Sequence, residues 1–377
     1  MSTIAVNAIT DASGGNTASI NGATPTTDNT MGRNRIINGA MEIDQRNAGA
    51  SVTITSAGQY PVDRFRCVSD TSAATLTAQQ SSTAPVGFVN SLLWTTSTGS
   101  AAGSGDDNLI WQRIEGLNIS DLGWGTASAQ PITLSFWVRS SLTGTFGVSF
   151  RNSGALSYVA SYTISAANTW EKKTVTIAGD TSGTWLTTNG VGINVSWDMG
   201  CGASRSTTAG SWQAGSYPGL TGGVKVSETS GATFYITGVQ LETGSVATSF
   251  ERRSYGQELQ LCQRYFVRDL GNSNNEGLPV QLVGGYTFTN NVYKWITQTL
   301  PVEMRATPTV IWYPTYQSTS DPGKARYYTT SQGGTGNILT PYGTNVTQKY
   351  IVLKAYNEHN AFTCWGVGAG YDASAEL

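Results

Sequence analysis

Residues 131–140 read PITLSFWVRS, and their alternation decides the fold. Ile132, Leu134, Phe136 and Val138 fall on one face of an extended chain, and Thr133, Ser135, Trp137 and Arg139 on the other. Side chains of a strand leave it on opposite sides with a period of two, so this is a strand with one face committed to a core. WEKKTVTIAG (170–179) repeats the pattern, setting Lys173, Val175 and Ile177 against Lys172, Thr174 and Thr176. VGINVSWDM (191–199) and ATFYITGVQLE (232–242) do likewise. About eight to ten such strands fit between Asn34 and Phe250, with no long helical period, which points to a β-sandwich of jelly-roll type. Within RIINGAMEI (35–43), Asn38-Gly39 marks a turn or bulge.

Composition agrees with an all-β chain. Gly (44 residues) is abundant and aromatic residues make up 10 % of the 377. Charged residues are only 12 %, split between 22 Lys plus Arg and 24 Asp plus Glu. Without a basic run there is no electrostatic footprint for nucleic acid. No stretch approaches the apolar length of a membrane span, and MSTIAVNAIT (1–10) lacks the basic and apolar regions of a signal peptide. The expected product is therefore made in the cytoplasm, with neither nucleic acid nor membrane insertion as a partner. Cys67, Cys201, Cys262 and Cys364 are widely spaced and form no CxxC pair, so they read as free, mostly buried thiols.

Residues 1–33 are rich in Thr, Asn, Ser and Gly and too short for a core. Ile4, Val6, Ile9 and Ile20 would be wasted on solvent, so this segment is expected to dock on something else. At the other end of the sandwich, VQLETGSVATSFERRSYGQELQLCQRYF (239–266) begins as a strand and finishes as a short helix. Ser254 and Gln257 match a capping box, and Leu259, Cys262, Tyr265 and Phe266 form an apolar stripe. Its charged residues read as a seam between domains. The division is 1–33 as an N-terminal segment, 34–250 as the jelly roll, 251–270 as a helical connector and 271–377 as a smaller β-sandwich domain. Strand patterns in the last include PVQLVGGYTFT (279–289), NVYKWITQTLP (291–301) and TPTVIWYPTY (307–316).

Catalytic chemistry finds little support. The chain has one histidine, His359, in a polar turn-like stretch, and HExxH, P-loop, GxSxG and EF-hand patterns are absent. A carboxylate pair for glycoside hydrolysis would come from Asp106, Asp107, Glu115, Asp180, Asp198 or Glu228, each equally at home in a turn or strand end. SGDDN (104–108) offers oxygens of the kind that hold calcium, and the same residues make turns by themselves, so a structural calcium ion stays open and no other cofactor is implied. Loop-borne aromatics suit a sugar's C–H face, and Trp185, Trp212 and Tyr217 are the candidates for glycan contact.

Three stretches carry a resemblance. GRNRIINGAMEIDQRNAG (32–49) with YPVDRFRC (60–67) resembles the start of the jelly-roll domain in tail-fibre and related virion structural proteins of tailed bacteriophages. QRIEGL (112–117), PITLSFWVRSS (131–141) and FYITGVQLETGSVATSFERRSYGQELQLCQRYF (234–266) resemble that domain's middle and exit. LPVEMRATPTV (300–310) and GYDASAEL (370–377) are similar to the C-terminal domain of the same proteins. The resemblance covers nearly the whole chain from residue 33. It implies a homotrimeric virion fibre with a carbohydrate-binding-module-like jelly roll, attached to other virion proteins through residues 1–33 and to a host-surface glycan or receptor through its loops. It supplies no catalytic residue. Gly39, Asp63, Arg64, Gln240, Glu242, Glu251 and Arg264 read as scaffold, with Glu242, Glu251, Arg252 and Arg264 fixing the two domains. Two alternatives remain: a virion decoration or connector protein without receptor binding, and a polysaccharide-degrading tailspike.

Overall fold

The computed structural model describes residues 32–269, 280–288, 293–313, 326–328, 341–356 and 362–377. The chain divides into two compact units. The first is built from residues up to Glu42, Ala50–Gln59 and Phe65–Arg253; the second takes Ile43–Gly49, Tyr60–Arg64 and Ser254–Leu377.

The first unit is an all-β sandwich. Its chain runs through β1 (Val52–Thr53), then, past β2 (Gln59–Val62), which falls almost wholly in the second unit, through β3 (Phe65–Ser69), β4 (Thr75–Ser81), β5 (Ser91–Thr98) and β6 (Asn108–Glu115). There follow β7 (Ile132–Ser140), β8 (Gly144–Arg151), β9 (Leu156–Ile164), β10 (Glu171–Ile177) and β11 (Val191–Asp198). The short β12 (Ser206–Thr207), β13 (Trp212–Ala214) and β14 (Gly219–Leu220) precede the long β15 (Thr233–Thr243). One sheet has the order β1-β4-β5-β15-β7-β10, and the other runs β13-β9-β8-β11-β6-β3. The pairs within both are antiparallel, as β7–β10 and β8–β9 illustrate.

The alternation in PITLSFWVRS does what it promised. Ile132, Leu134, Phe136 and Val138 are no more than 1 % exposed. From β7 in the first sheet, Phe136 meets Tyr162 of β9 and Trp197 of β11 edge-on, at centroid separations of 5.0 and 5.7 Å. That interdigitation of two inner faces is how a sandwich fills its core. Short strands beyond the eight to ten expected come from two- and three-residue pieces, which are too brief to leave a periodic signal.

RIINGAMEI forms no strand. Asn38 takes a left-handed φ of 60°, and polar side chains replace the ladder. Gln112 accepts from Ile37 N and donates to Ile37 O, both at 2.8 Å, acting as a strand neighbour would. Gly39 lies so close to the neighbouring backbone that an added Cβ would stand 2.1 Å from Val239 O. Asn34 accepts from Ile36 N and Leu241 N and donates to Val239 O.

In the second unit, α1 (Tyr255–Gln263) leads into β16 (Phe266–Asp269), β17 (Val280–Phe288), β18 (Tyr293–Thr299), β19 (Thr309–Tyr313), β20 (Arg326–Tyr328), β21 (Pro341–Val346), β22 (Tyr350–Tyr356) and β23 (Phe362–Ser374). β16, β17, β19 and β20 all pair with β23, and β18-β22-β21 form a second sheet. The helix starts at Ser254 as expected, but the Ser254 side chain makes no capping bond. Cys262, Tyr265 and Phe266 of the apolar stripe are buried, and the last two fall beyond the helix. Cys67, Cys201 and Cys262 are free and buried, and burial raises each thiol well above its ordinary range. The side chain of Cys364 lies outside the described residues.

Candidate functional site

Aromatic side chains gather at one edge of the sandwich. Trp124, Trp185 and Trp212 meet mutually edge-to-face, with centroids 4.6, 5.4 and 5.4 Å apart, and Tyr158 adds a fourth ring 5.4 Å from Trp212. Each indole N–H has a partner: Trp124 donates to Gln130 O (2.7 Å), Trp185 to Asp180 Oδ2 (2.8 Å) and Trp212 to Ala178 O (3.0 Å). Trp212 is placed by the pairing of β13 with β9, directly opposite Tyr158. Trp185 is 8 % exposed and Trp124 7 %, so these two brace the cluster from within. Trp212, Tyr158 and Tyr217 are half-buried and turn part of their surface outward. Tyr217 stands beside Gly215, whose φ of 129° brings the chain against the phenol ring. Trp124 and Tyr158 escape a sequence reading, because one sits in a turn and the other alternates like any strand residue.

A second constellation lies on the outward face of the β13-β9-β8-β11-β6-β3 sheet. Register sets it in two rows. Arg66 of β3 faces Trp111 of β6, which faces Ser196 of β11, which faces Ser149 of β8. One step along, Arg113 faces Asn194, Asn194 faces Arg151, and Arg151 faces Ser157. The guanidinium carbons of Arg113, Arg66 and Arg151 lie 4.5, 5.4 and 5.9 Å from the Trp111 ring centroid. Trp111, Arg66 and Arg113 are half-buried, whereas Arg151 is 6 % exposed. Arg151 donates to Ser216 Oγ (3.0 Å) and Ser196 Oγ (3.2 Å), and its Nε has no partner. Burial pulls this guanidinium down to about 10, with Asp107 the strongest opposing influence. The alternation Leu109, Trp111, Arg113 in β6 was the available sequence signal.

The candidate catalytic acids are held in structural bonds. Asp180 accepts from Gly183 N and Trp185, and Asp106 from Gly103 N and Thr71 Oγ1. Asp107 takes a two-pronged pair from Arg205 at 2.7 and 2.8 Å, which holds that guanidinium above its ordinary range. Asp198 accepts from the backbone N–H groups of Gly200, Cys201 and Leu220, while its burial pushes the carboxyl up. Glu228 pairs with Lys225. Glu115 is buried. Among the described residues no group of three His, Cys, Asp or Glu is placed to hold a metal ion. No helix among them is long and apolar enough to cross a membrane.

The proposed scaffold residues find partners close to home. Glu242 accepts from Gln240 Nε2 (2.9 Å), Thr248 N (2.9 Å) and Thr248 Oγ1 (2.6 Å), because Gly244–Arg253 folds back over β15. Glu251 accepts from Gly32 N and Asn34 N at 2.7 and 2.6 Å, tying down the start of the described chain. Arg252 bonds Gly87 O and stacks near Phe88 and Phe250. Arg264, in the second unit, donates to Glu303 O at 3.4 Å. In that unit Arg64 lies 3.4 Å over the Tyr265 ring and pairs with Glu376. Asp63 accepts from Gln45 and Arg46, and burial raises its carboxyl to about 6. Ile4, Val6, Ile9, Ile20 and His359 lie outside the described residues.

No protein-family model matches the chain, and no curated protein does. Among solved structures it is similar to tailspike protein 4 of bacteriophage CBA120, in its enzymatically active domain, at 12 % identity and a TM-score of 0.28 over 56 % of this chain and 21 % of that one. It is similar also to a CBM61 module in complex with β-1,4-galactotriose, at 11 % identity and a TM-score of 0.28 over 56 % of this chain and 99 % of that one. A family 11 carbohydrate-binding module from Clostridium thermocellum, in complex with a mixed-linked tetrasaccharide, gives 11 % identity and a TM-score of 0.27 over 54 % and 100 %. These are loose likenesses.

Proposed function

We propose that this chain is a non-catalytic fibre protein of a tailed-bacteriophage virion, homotrimeric, that attaches the particle to a host-surface glycan. The observation that carries the glycan part is the sandwich edge where Trp212 and Tyr158 expose part of their surface over a base of buried Trp124 and Trp185. A rigid aromatic wall suits a sugar's C–H face, since stacking on it needs little side-chain ordering. The virion part rests on the sequence resemblance that runs from about residue 33 to the C-terminus. In this reading residues 1–33, with Ile4, Val6, Ile9 and Ile20, hold the fibre to its virion partner. Three copies on one body convert weak sites into firm attachment by avidity.

Two measurements on the recombinant chain test the reading. Light scattering should give a mass near three times 39.9 kDa. Host-surface polysaccharide should bind, and Trp212→Ala should weaken binding about tenfold or more while leaving the mass and circular dichroism unchanged. A trimer that binds no host polysaccharide would move the protein to a purely structural virion role. A monomer would sink the self-standing fibre.

A further inference from the structure

We infer that the outward face around Trp111 binds an acidic saccharide, with a sugar ring against Trp111 and its carboxylate clamped by Arg151, flanked by Arg113 and Arg66. The inference rests on the glycan-binding reading and adds the charge of the ligand and a second place for it.

Arg151 is the residue that calls for an explanation. Charged side chains are almost never fully buried without a counter-charge. Arg151 is 6 % exposed, its hydrogen bonds go to two serine hydroxyls, and Nε is left over. A neutral amide side chain would make bonds to Ser196 and Ser216 without burying a charge, so tying the loop at Ser216 to β11 does not account for a guanidinium. Asp107, the acid that influences it most, is engaged bidentately by Arg205. The Asp198 carboxylate is taken up by three backbone N–H groups.

The surroundings supply the rest of a site. Directly opposed residues on neighbouring strands are about 5 Å apart, so Arg113, Asn194 and Arg151 span about 10 Å, the scale of a sugar ring with its substituents. Asn194 holds Arg113 by accepting from Nε at 3.0 Å. The Trp111 ring lies within 6 Å of all three cations. The Arg151 guanidinium beside an indole face matches a pyranose that carries a carboxylate: the ring stacks, and the anion receives charge-assisted N–H donors. The carboxylate approaches past the half-buried Trp111. Ser216 is the partner it displaces, and Tyr217 next to it links this face to the loop between β13 and β14.

The test is calorimetric titration of the full-length chain with three carboxylated probes: oligogalacturonate, a hyaluronan oligomer and sialyllactose. Each is paired with a neutral oligosaccharide of the same length. At least one acidic probe should bind in preference to its neutral counterpart, with affinity falling as salt rises. Arg151→Met should weaken that binding about 30-fold or more, as loss of a charge-assisted pair does. Arg66→Gln, on a half-buried residue, should weaken it severalfold with folding unchanged, and Trp212→Ala should leave it alone. Equal binding of acidic and neutral probes, no binding of any acidic probe, or indifference to both arginine variants would overturn the inference. If neutral host polysaccharide still binds and Trp212→Ala abolishes that binding, only the acidic site falls. If nothing saccharidic binds at all, the glycan reading falls with it.

Discussion

Replacing Arg151 by methionine should make the protein more stable, and the size of the gain follows from what surrounds the guanidinium. Burial brings it down to about 10 from the ordinary arginine range, which at about 1.4 kcal/mol per tenfold change amounts to roughly 3 kcal/mol held against the fold. Both folded and unfolded chains carry the charge at pH 7, so this penalty is fully present there. Methionine is apolar and comparably long, and it removes the penalty. It also removes two hydrogen bonds, to Ser196 and Ser216, at about 1 kcal/mol each. The balance is a gain of about 1 kcal/mol, the outcome often found when a buried charge is replaced by an apolar residue of similar volume. Urea unfolding followed by tryptophan fluorescence should show the midpoint moving up by a few tenths molar with an unchanged slope. A pH series adds a signature. As pH rises through 10 the folded wild type gives up its proton before the unfolded chain does, so its stability should rise toward that of the variant. A variant less stable than wild type by 1 kcal/mol or more would show that Arg151 is a structural tie, and the case for an incoming carboxylate would go with it.

Other expectations follow from the same geometry. Trp185→Ala should destabilise the sandwich by about 3–5 kcal/mol in denaturant unfolding, because it empties the base of the aromatic cluster and strips Asp180 of a donor, while Trp212→Ala should cost appreciably less. Gly39→Ala, whose Cβ would stand 2.1 Å from Val239 O, should lower the thermal midpoint by many degrees despite an ordinary φ. For Asp63 the folded carboxyl titrates near 6 against an unfolded value near 3.8, so its contribution is fully present below pH 3.8 and lost as pH rises through 6. Asp63→Asn should flatten the pH dependence of unfolding between pH 4 and 6, by up to about 3 kcal/mol. An unchanged slope in that window would show that the wild-type carboxyl is not held up by burial.

The sandwich was legible wherever one face of a strand is apolar and the other is not. PITLSFWVRS reads correctly because Ile132, Leu134, Phe136 and Val138 answer to a single requirement, burial against the opposite sheet. Signals failed where that requirement is met another way. In RIINGAMEI the turn at Asn38-Gly39 is where the sequence put it, but what flanks the turn forms no strand, and a side chain, Gln112, occupies the backbone groups of Ile37. Ser254 and Gln257 have the spacing of a capping box, but the pattern tests residue types and not where the hydroxyl turns. Loop position suggested Trp185 as a contact residue, and its neighbours Trp124 and Asp180 bury it.

The sequence alone determined the class of fold, the free cysteines at Cys67, Cys201 and Cys262 and the helix near Ser254. Those features depend on local periodicity and on which residue types are present. Tertiary structure decided which aromatic residues stand together and which arginine is left without an acid. Trp124, Trp185 and Trp212 span 89 positions in sequence, and Arg66, Trp111 and Arg151 span 86; only sheet order and register bring them to one edge and one face. A charge announces itself in sequence, but whether it is answered depends on what the fold packs beside it.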